Sequence, residues 1–286
     1  MNRAKFTPLA NGLYFCSMLR PQLALFTYAP STRVGVQSRW LSHAVKGDDM
    51  KSFGANIFVF DGPAVSFYGM PYTTRMTIVR LKNDKLWVHS PIELNDELVR
   101  QVNALGEVAY LIAPNKLHHL YIAAWQTRWP EATAFAAPGV ANKCRHLHFD
   151  ADLNDKAPAE WLSEIDQCIF KGSPVMEEAV FFHKSSRTLI VTDLIENFSP
   201  GHFNAWQRPL ARITGILAPN GKTPLDWRLS FMNGRHKAKE AVAQFRRWQP
   251  EQLILAHGEC VNRDAMVFIE RSFSWVGLQQ AETADV

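Results

Sequence analysis

The stretch "YLIAPNKLHHLYIAAW" (residues 110–125) runs from an apolar tetrad, Tyr110 to Ala113, through polar Asn115, Lys116, His118 and His119, into a segment with apolar residues at helical spacing. The tetrad, closed by Pro114, suits a buried parallel strand. Leu117, Leu120, Tyr121, Ala124 and Trp125 fall at i, i+3, i+4, i+7 and i+8, which predicts a helix with one face in a core. A strand feeding directly into a helix is the unit of an α/β sheet, where ligands collect outside the carboxyl ends of strands. Two adjacent histidines at such a junction could bind a metal, exchange protons, or simply begin a helix. On a helix they would diverge by about 100°; in the turn before it they need not.

The pattern extends in both directions. Upstream, "NIFVFDG" (56–62) and "AVSFYG" (64–69) predict two short strands closed by glycine turns, and "RMTIVRLKNDKLWVHSP" (75–91) predicts a hairpin turning at Asn83-Asp84. "LNDELVRQVNALG" (94–106) predicts a helix capped by Asn95 or Asp96, with Leu98, Val102 and Leu105 on one face and Gly106 as its stop. "ATAFAAPG" (132–139) predicts a further short strand. After the polar "DADLNDKAP" (150–158) a second set follows: a hairpin at "EEAVFFHKSSRTLIVTDL" (177–194), helices at "PLARITGI" (209–216) and "GRHKAKEAVAQFRRW" (234–248), a buried strand at "EQLILAHGE" (251–259), and a last helix at "RDAMVFIERSFSWVGL" (263–278). Two such sets predict two packed sheets covered by helices.

Bulk properties narrow the function. The 286 residues are 47% hydrophobic, enough for a substantial core, and the net charge of +4 comes from scattered Lys and Arg rather than a dense run, which argues against a nucleic-acid partner. Cys16, Cys144, Cys168 and Cys260 form no C-x-x-C pair, as expected in a reducing compartment such as the cytoplasm. The first 47 residues carry Arg3, Lys5, Arg20, Arg33, Arg39 and Lys46 with no acid before Asp48, the composition of an organellar transit peptide or of an extension packed outside the core. Residues 1–53 therefore read as a basic extension and 54–286 as the domain. No run approaches the ~18 apolar residues of a membrane span. Absence of G-x-S-x-G, P-loop and G-x-G-x-x-G patterns argues against serine hydrolases, NTPases and dinucleotide enzymes.

Four apolar strands end in polar residues: at His89, at Asn115 to His119, at Asp193 and at His257. Imidazole and carboxylate suit Zn²⁺, Fe or Mn²⁺, and His118, His119, Asp193 and His257 would make a first shell if they meet. His89 and Asn115 are candidates for hydrogen bonds to substrate or to those ligands. Each residue also has a plainer reading: polar helix starts for His118 and His119, an N-cap of "LIEN" for Asp193, a loop histidine before Gly258 for His257. The literal H-x-H in "CRHLHF" would align Cys144, His146 and His148 on one strand face, a weak metal pattern. Glu177 and Glu178 read as a solvated acidic turn that could reach the site from the side, His183 lies at the far end of its hairpin, and His202 sits in a loop that could form a lid.

The phrases "FYGMPYTTRMTIVRL", "LWVHSPIEL", "APNKLHHLYIAAW", "EEAVFFHKSSRTLIVTDLIENF" and "LILAHGE" resemble the metallo-β-lactamase superfamily, and more closely a domain-of-unknown-function family assigned to that fold. The resemblance implies an αββα sandwich and metal-dependent hydrolysis. It places the superfamily's H-x-H-x-D-H motif on Pro114, Lys116, His118 and His119, its third histidine near Ser173, its bridging aspartate on Asp193 and its last histidine on His257. The three-histidine site is then lost. What the resemblance leaves is a degenerate site for one divalent metal, Zn²⁺ foremost with Fe or Mn²⁺ as alternatives, at His118, His119, Asp193 and His257. Lys116 would stand as a fixed cation where a histidine is missing, or as a solvated lysine. The expected function is that of a hydrolase-like protein acting on a small molecule. The alternative is a metal-free binding protein that uses Lys116 and Arg75 for an anionic ligand.

Overall fold

The structure is a computed structural model and describes residues 50–67 and 69–277; all of the basic extension before residue 50, with Cys16, lies outside them. Its first strand, β1 (Lys51–Gly54), pairs antiparallel with β2 (Ile57–Phe67), so the sheet begins three residues before the expected domain start. β2 is one strand where two were expected. Gly62 does not end it; the register against β3 (Met70–Arg80) slips by one residue between Gly62 and Val65, a bulge. The close approach there suits glycine, since a Cβ at 62 would lie 2.4 Å from Thr74 Oγ1.

β3 turns into β4 (Lys85–His89) as predicted, and β4, β5 (Glu107–Ala113), β6 (Thr133–Ala136) and β7 (Ala151–Asp152) continue in parallel, completing a seven-stranded sheet in chain order. Between β4 and β5 runs α1 (Asp96–Leu105), capped by the Asn95 side chain accepting from the Leu98 amide. A second sheet has the order β11-β10-β9-β8, from β8 (Ile165–Phe170), β9 (Glu178–His183), β10 (Thr188–Ile190) and β11 (Gln252–Ile254). β8 precedes the segment in which the sequence placed the second set.

Alternation in the second sheet shows how the layers stack. Ile165, Ile169, Ala179, Phe181, Ile190 and Ile254 belong to the core shared with the first sheet. Their neighbours Cys168, Phe170, Val180, Phe182, Leu189 and Leu253 join a separate core. That core includes residues of α5 (Leu225–Ser230), α6 (Arg235–Trp248) and α7 (Ala265–Ser272). The first sheet is covered on its other face by α1 and by α2 (Ile122–Arg128), through Leu98, Val102, Ile122 and Trp125. This is the expected αββα sandwich. α4 (Gln207–Thr214) packs on a small third core with Met70, Phe198, Phe203 and Ile216.

Two further expectations change. The helix predicted from Leu117 begins only at Ile122, and Leu120 is half exposed. Cys144, His146 and His148 share no strand: they follow the short α3 (Val140–Lys143), Cys144 is buried, and exposed His148 faces Asp150 at 3.2 Å.

Candidate metal centre

The carboxyl ends of β5, β10 and β11 point to one place. After β5, Pro114 stops the strand and the Asn115 carboxamide oxygen accepts from the amides of Leu117 (2.7 Å) and His118 (3.0 Å). This side-chain turn competes with the first helical turn and delays α2. It sets His118 and His119 in a non-helical segment, and of the two only His118 reaches the converging group. Beyond β10 the chain delivers Thr192 and Asp193, and beyond β11 it delivers His257. Gly258 turns the chain sharply there, with φ +91°, and a Cβ on it would meet the Asn197 carbonyl at 2.2 Å.

His118, Asp193 and His257 converge. His118 Nε2 lies 3.3 Å from Asp193 Oδ1 and 3.2 Å from His257 Nε2, and His257 Nε2 lies 2.9 Å from Asp193 Oδ1. Two ligands on one ion at ~2.0–2.2 Å sit about 2.8–3.6 Å apart at bond angles between roughly 90° and 109°, which brackets all three separations. The trio is the one group among the described residues able to hold a metal ion. Its side chains retain 6–9% exposure, so the centre is recessed but not sealed.

Each of the three is oriented from behind. His257 Nδ1–H donates to the Thr73 carbonyl at 2.7 Å, and Thr73 lies opposite the β2 bulge. A carbonyl can only accept, so Nδ1 carries a proton and Nε2 is the ring atom that faces Asp193. His118 Nδ1 and the Ser90 hydroxyl are 2.7 Å apart. Asp193 Oδ2 accepts from Asn115 Nδ2 at 2.6 Å, leaving Oδ1 to the imidazoles. Arg75 steadies the His257 turn: its Nη1 donates to the carbonyls of Leu255 (2.6 Å) and Gly258 (2.8 Å), while Nε pairs with Asp61 at 2.7 Å.

Residues 55–211 match the family described as Domain of unknown function (DUF4336), over more than half of the chain. The chain belongs to the DUF4336 family. Its fold likeness extends to solved metallo-β-lactamases. The DIM-1 enzyme, in a crystal exposed to ceftazidime, matches 80% of this chain and 95% of its own at 12% identity, with a TM-score of 0.56. An enzyme from Pontibacter korlensis matches 81% and 99% at 9% identity, TM-score 0.56, and FIM-1 from Pseudomonas aeruginosa in its mono-zinc form matches 80% and 94% at 12% identity, TM-score 0.53. Such identities speak for the fold alone. No curated protein matches the chain.

Around the centre of this DUF4336 protein lies a buried acidic layer that sequence reading undervalued. Glu178, read as part of a solvated turn, is fully buried; it accepts from the amides of Thr192 (2.7 Å) and Asp193 (2.9 Å) and from Asn115 Nδ2 (3.0 Å). Burial and the Asp193 charge push its carboxyl up to about 7. Burial alone would raise Asp193 too, but His118 and His257 outweigh it and hold that carboxyl well below the usual range. Glu196, buried and beside Asp193, is pushed up to about 8 and accepts from the Tyr72 hydroxyl at 3.2 Å. Tyr72 also sets its ring edge-on to His257 at 5.2 Å.

The remaining candidates fall elsewhere. His119 is not among the converging groups; burial, with the charges of Lys143, His118 and His146, pulls it down to about 4. Lys116 turns its ammonium to the Val175 carbonyl at 3.1 Å and lays its stem over Gly139. His89 is wedged between Trp87 and Phe181, and its Nε2 has no hydrogen-bond partner among the described residues. Arg75, expected to bind an anion, is instead committed to Asp61 and backbone carbonyls. Ser173 caps its own turn through the amides of Val175 and Met176, and His202 is held by Phe198 and the Pro71 carbonyl at 2.7 Å rather than standing free as a lid.

Proposed function

We propose that His118, Asp193 and His257 hold one divalent cation in a hydrolase-like protein of the metallo-β-lactamase fold, with Zn²⁺ foremost and Fe²⁺ or Mn²⁺ as the other fits to a two-imidazole, one-carboxylate set. The observation that carries the proposal is the meeting of three ligand atoms at separations of 2.9, 3.2 and 3.3 Å, the spacing that one shared ion requires. Because Nδ1–H of His257 is held by the Thr73 carbonyl, Nε2 is the ring atom that an ion would take.

A bound divalent ion would supply Lewis acidity for hydrolysis at neutral pH. Asn115 and Ser90 fix the angles at which Asp193 and His118 present their ligand atoms, and the Thr73 carbonyl sets the His257 tautomer. Glu178 steadies the Asp193 backbone. Pro114 and Lys116, in the positions where the resemblance expects the first histidine pair, offer no imidazole, which supports one ion rather than two.

The test is thermal stability with and without chelator. Chelation should lower Tm, Zn²⁺ or Mn²⁺ should restore it, and His118→Ala should abolish the response. A second reading, a metal-free binding protein, is favoured by the same trio closing on itself through direct contacts of His118 (3.3 Å) and His257 (2.9 Å) with Asp193. It predicts a chelator-insensitive Tm raised by anions alone, an effect removed by Lys116→Ala.

A further inference from the structure

Trp206 stands just before α4, and Leu210 and Ile213 follow at i+4 and i+7, so all three lie on one helical stripe. They are 70%, 48% and 70% exposed, while Gln207 and Ala211, on another face of α4, are buried. The neighbouring α5 and the turn after it add Leu229 and Met232, 55% and 64% exposed, and α5 is tied to α4 by Arg228 donating to the Thr214 carbonyl at 3.3 Å. Five large apolar side chains exposed on adjoining elements exceed what scattered surface hydrophobics explain.

Charge indicates what covers them. Residues 199–239 contain seven Lys or Arg and a single acid, Asp226, whereas the whole chain nets only +4. Arg208 and Arg212 are exposed on α4, beside the stripe. Arg212, Ile213, Leu217 and Lys222 line a groove of about 330 Å³ at the C-terminal end of that helix. Among the described residues neither Arg212 nor Lys222 is paired with a carboxylate. An apolar stripe carrying a tryptophan, adjoining arginines and a two-cation groove is the arrangement of an interfacial helix on an anionic leaflet.

We infer that α4 and α5 form a docking surface for an anionic lipid membrane: Trp206, Leu210 and Ile213 enter the interface, and a phosphate headgroup sits between Arg212 and Lys222. The site rests on no metal, so it stands apart from the proposed function. Co-sedimentation of the full chain with phosphatidylcholine vesicles, with and without phosphatidylserine, tests it. Binding should require phosphatidylserine and weaken with salt. Trp206→Ala combined with Ile213→Ala should weaken it at least about tenfold, and Arg212→Glu with Lys222→Glu should remove the phosphatidylserine preference, with Tm unchanged because these side chains are exposed or line an open groove. No binding to phosphatidylserine vesicles would overturn the inference. So would binding that survives both pairs of substitutions, or concentration-dependent self-association abolished by Trp206→Ala in a protein that ignores vesicles.

Discussion

Replacing Asn115 with alanine removes a fully buried carboxamide that spaces two buried carboxylates. Its Nδ2 lies 2.6 Å from Asp193 Oδ2, 3.0 Å from Glu178 Oε2 and 2.8 Å from Thr192 Oγ1, three acceptors sharing its two hydrogens, and its oxygen accepts from two backbone amides. Hydrogen bonds to charged groups contribute about 1.5–3 kcal/mol each, and those left unmade cost their desolvation. With partial relaxation the loss should be about 3–5 kcal/mol, which at ~2–4 °C per kcal/mol lowers Tm by about 10 °C. Asn115→Asp separates electrostatics from packing. It keeps the acceptor for the amides of Leu117 and His118 but adds a third carboxyl beside Asp193 and Glu178. Like charges raise the folded pKa of such a carboxyl above its unfolded value, so the variant should be nearest to wild type at acid pH and fall behind as pH rises through that folded pKa. Urea unfolding at pH 5 and pH 8 measures both effects. An Asn115→Ala protein within about 1 kcal/mol of wild type, or an Asn115→Asp deficit independent of pH, would refute the reasoning.

His89 should make the fold acid-sensitive. Burial, with the His118 charge, lowers it from the ordinary 6.5 to about 3. The unfolded chain takes up that proton first, so stability present above pH 6.5 is lost as pH falls toward 3, by at most on the order of 1.4 kcal/mol per pH unit; His89→Leu should flatten the slope in urea titrations at pH 7 and pH 5. Arg75→Met should leave the carbonyls beside His257 without their side-chain donor and Asp61 with Lys51 alone, costing about 3–4 kcal/mol and weakening Zn²⁺ binding about 10–100-fold by competition titration. Unchanged affinity would show that the clamp does not position His257.

Most strands and helices of the second half were legible because apolar alternation and glycine stops recur there, though α5 was missed; the two covered sheets followed from them, and the αββα order from the resemblance. β8 was not legible, since "IDQCIF" follows a long polar connection without a turn signal of its own. The late start of α2 was legible only in part: Asn115 after Pro114 is a turn signal, but the helical spacing from Leu117 onward competes with it. The converging trio was legible in residues that carry their chemistry in the side chain, His118, Asp193 and His257. The rest depends on long-range partners. Glu178 looks solvated until Asn115, Thr192 and Asp193 supply its donors, and the Thr73 carbonyl that fixes His257 is backbone, which no residue type announces. His119 and Arg75 were drawn in by residue type, and geometry turned each to other neighbours.

Metal content per chain, measured by mass spectrometry on protein prepared in metal-replete medium, bears most directly on the central claim. One ion at His118, Asp193 and His257 predicts about one equivalent of Zn, Fe or Mn in the wild type and close to none in Asp193→Ala or His257→Ala. Less than about a tenth of an equivalent in the wild type, or an equivalent that persists in both variants, would contradict it.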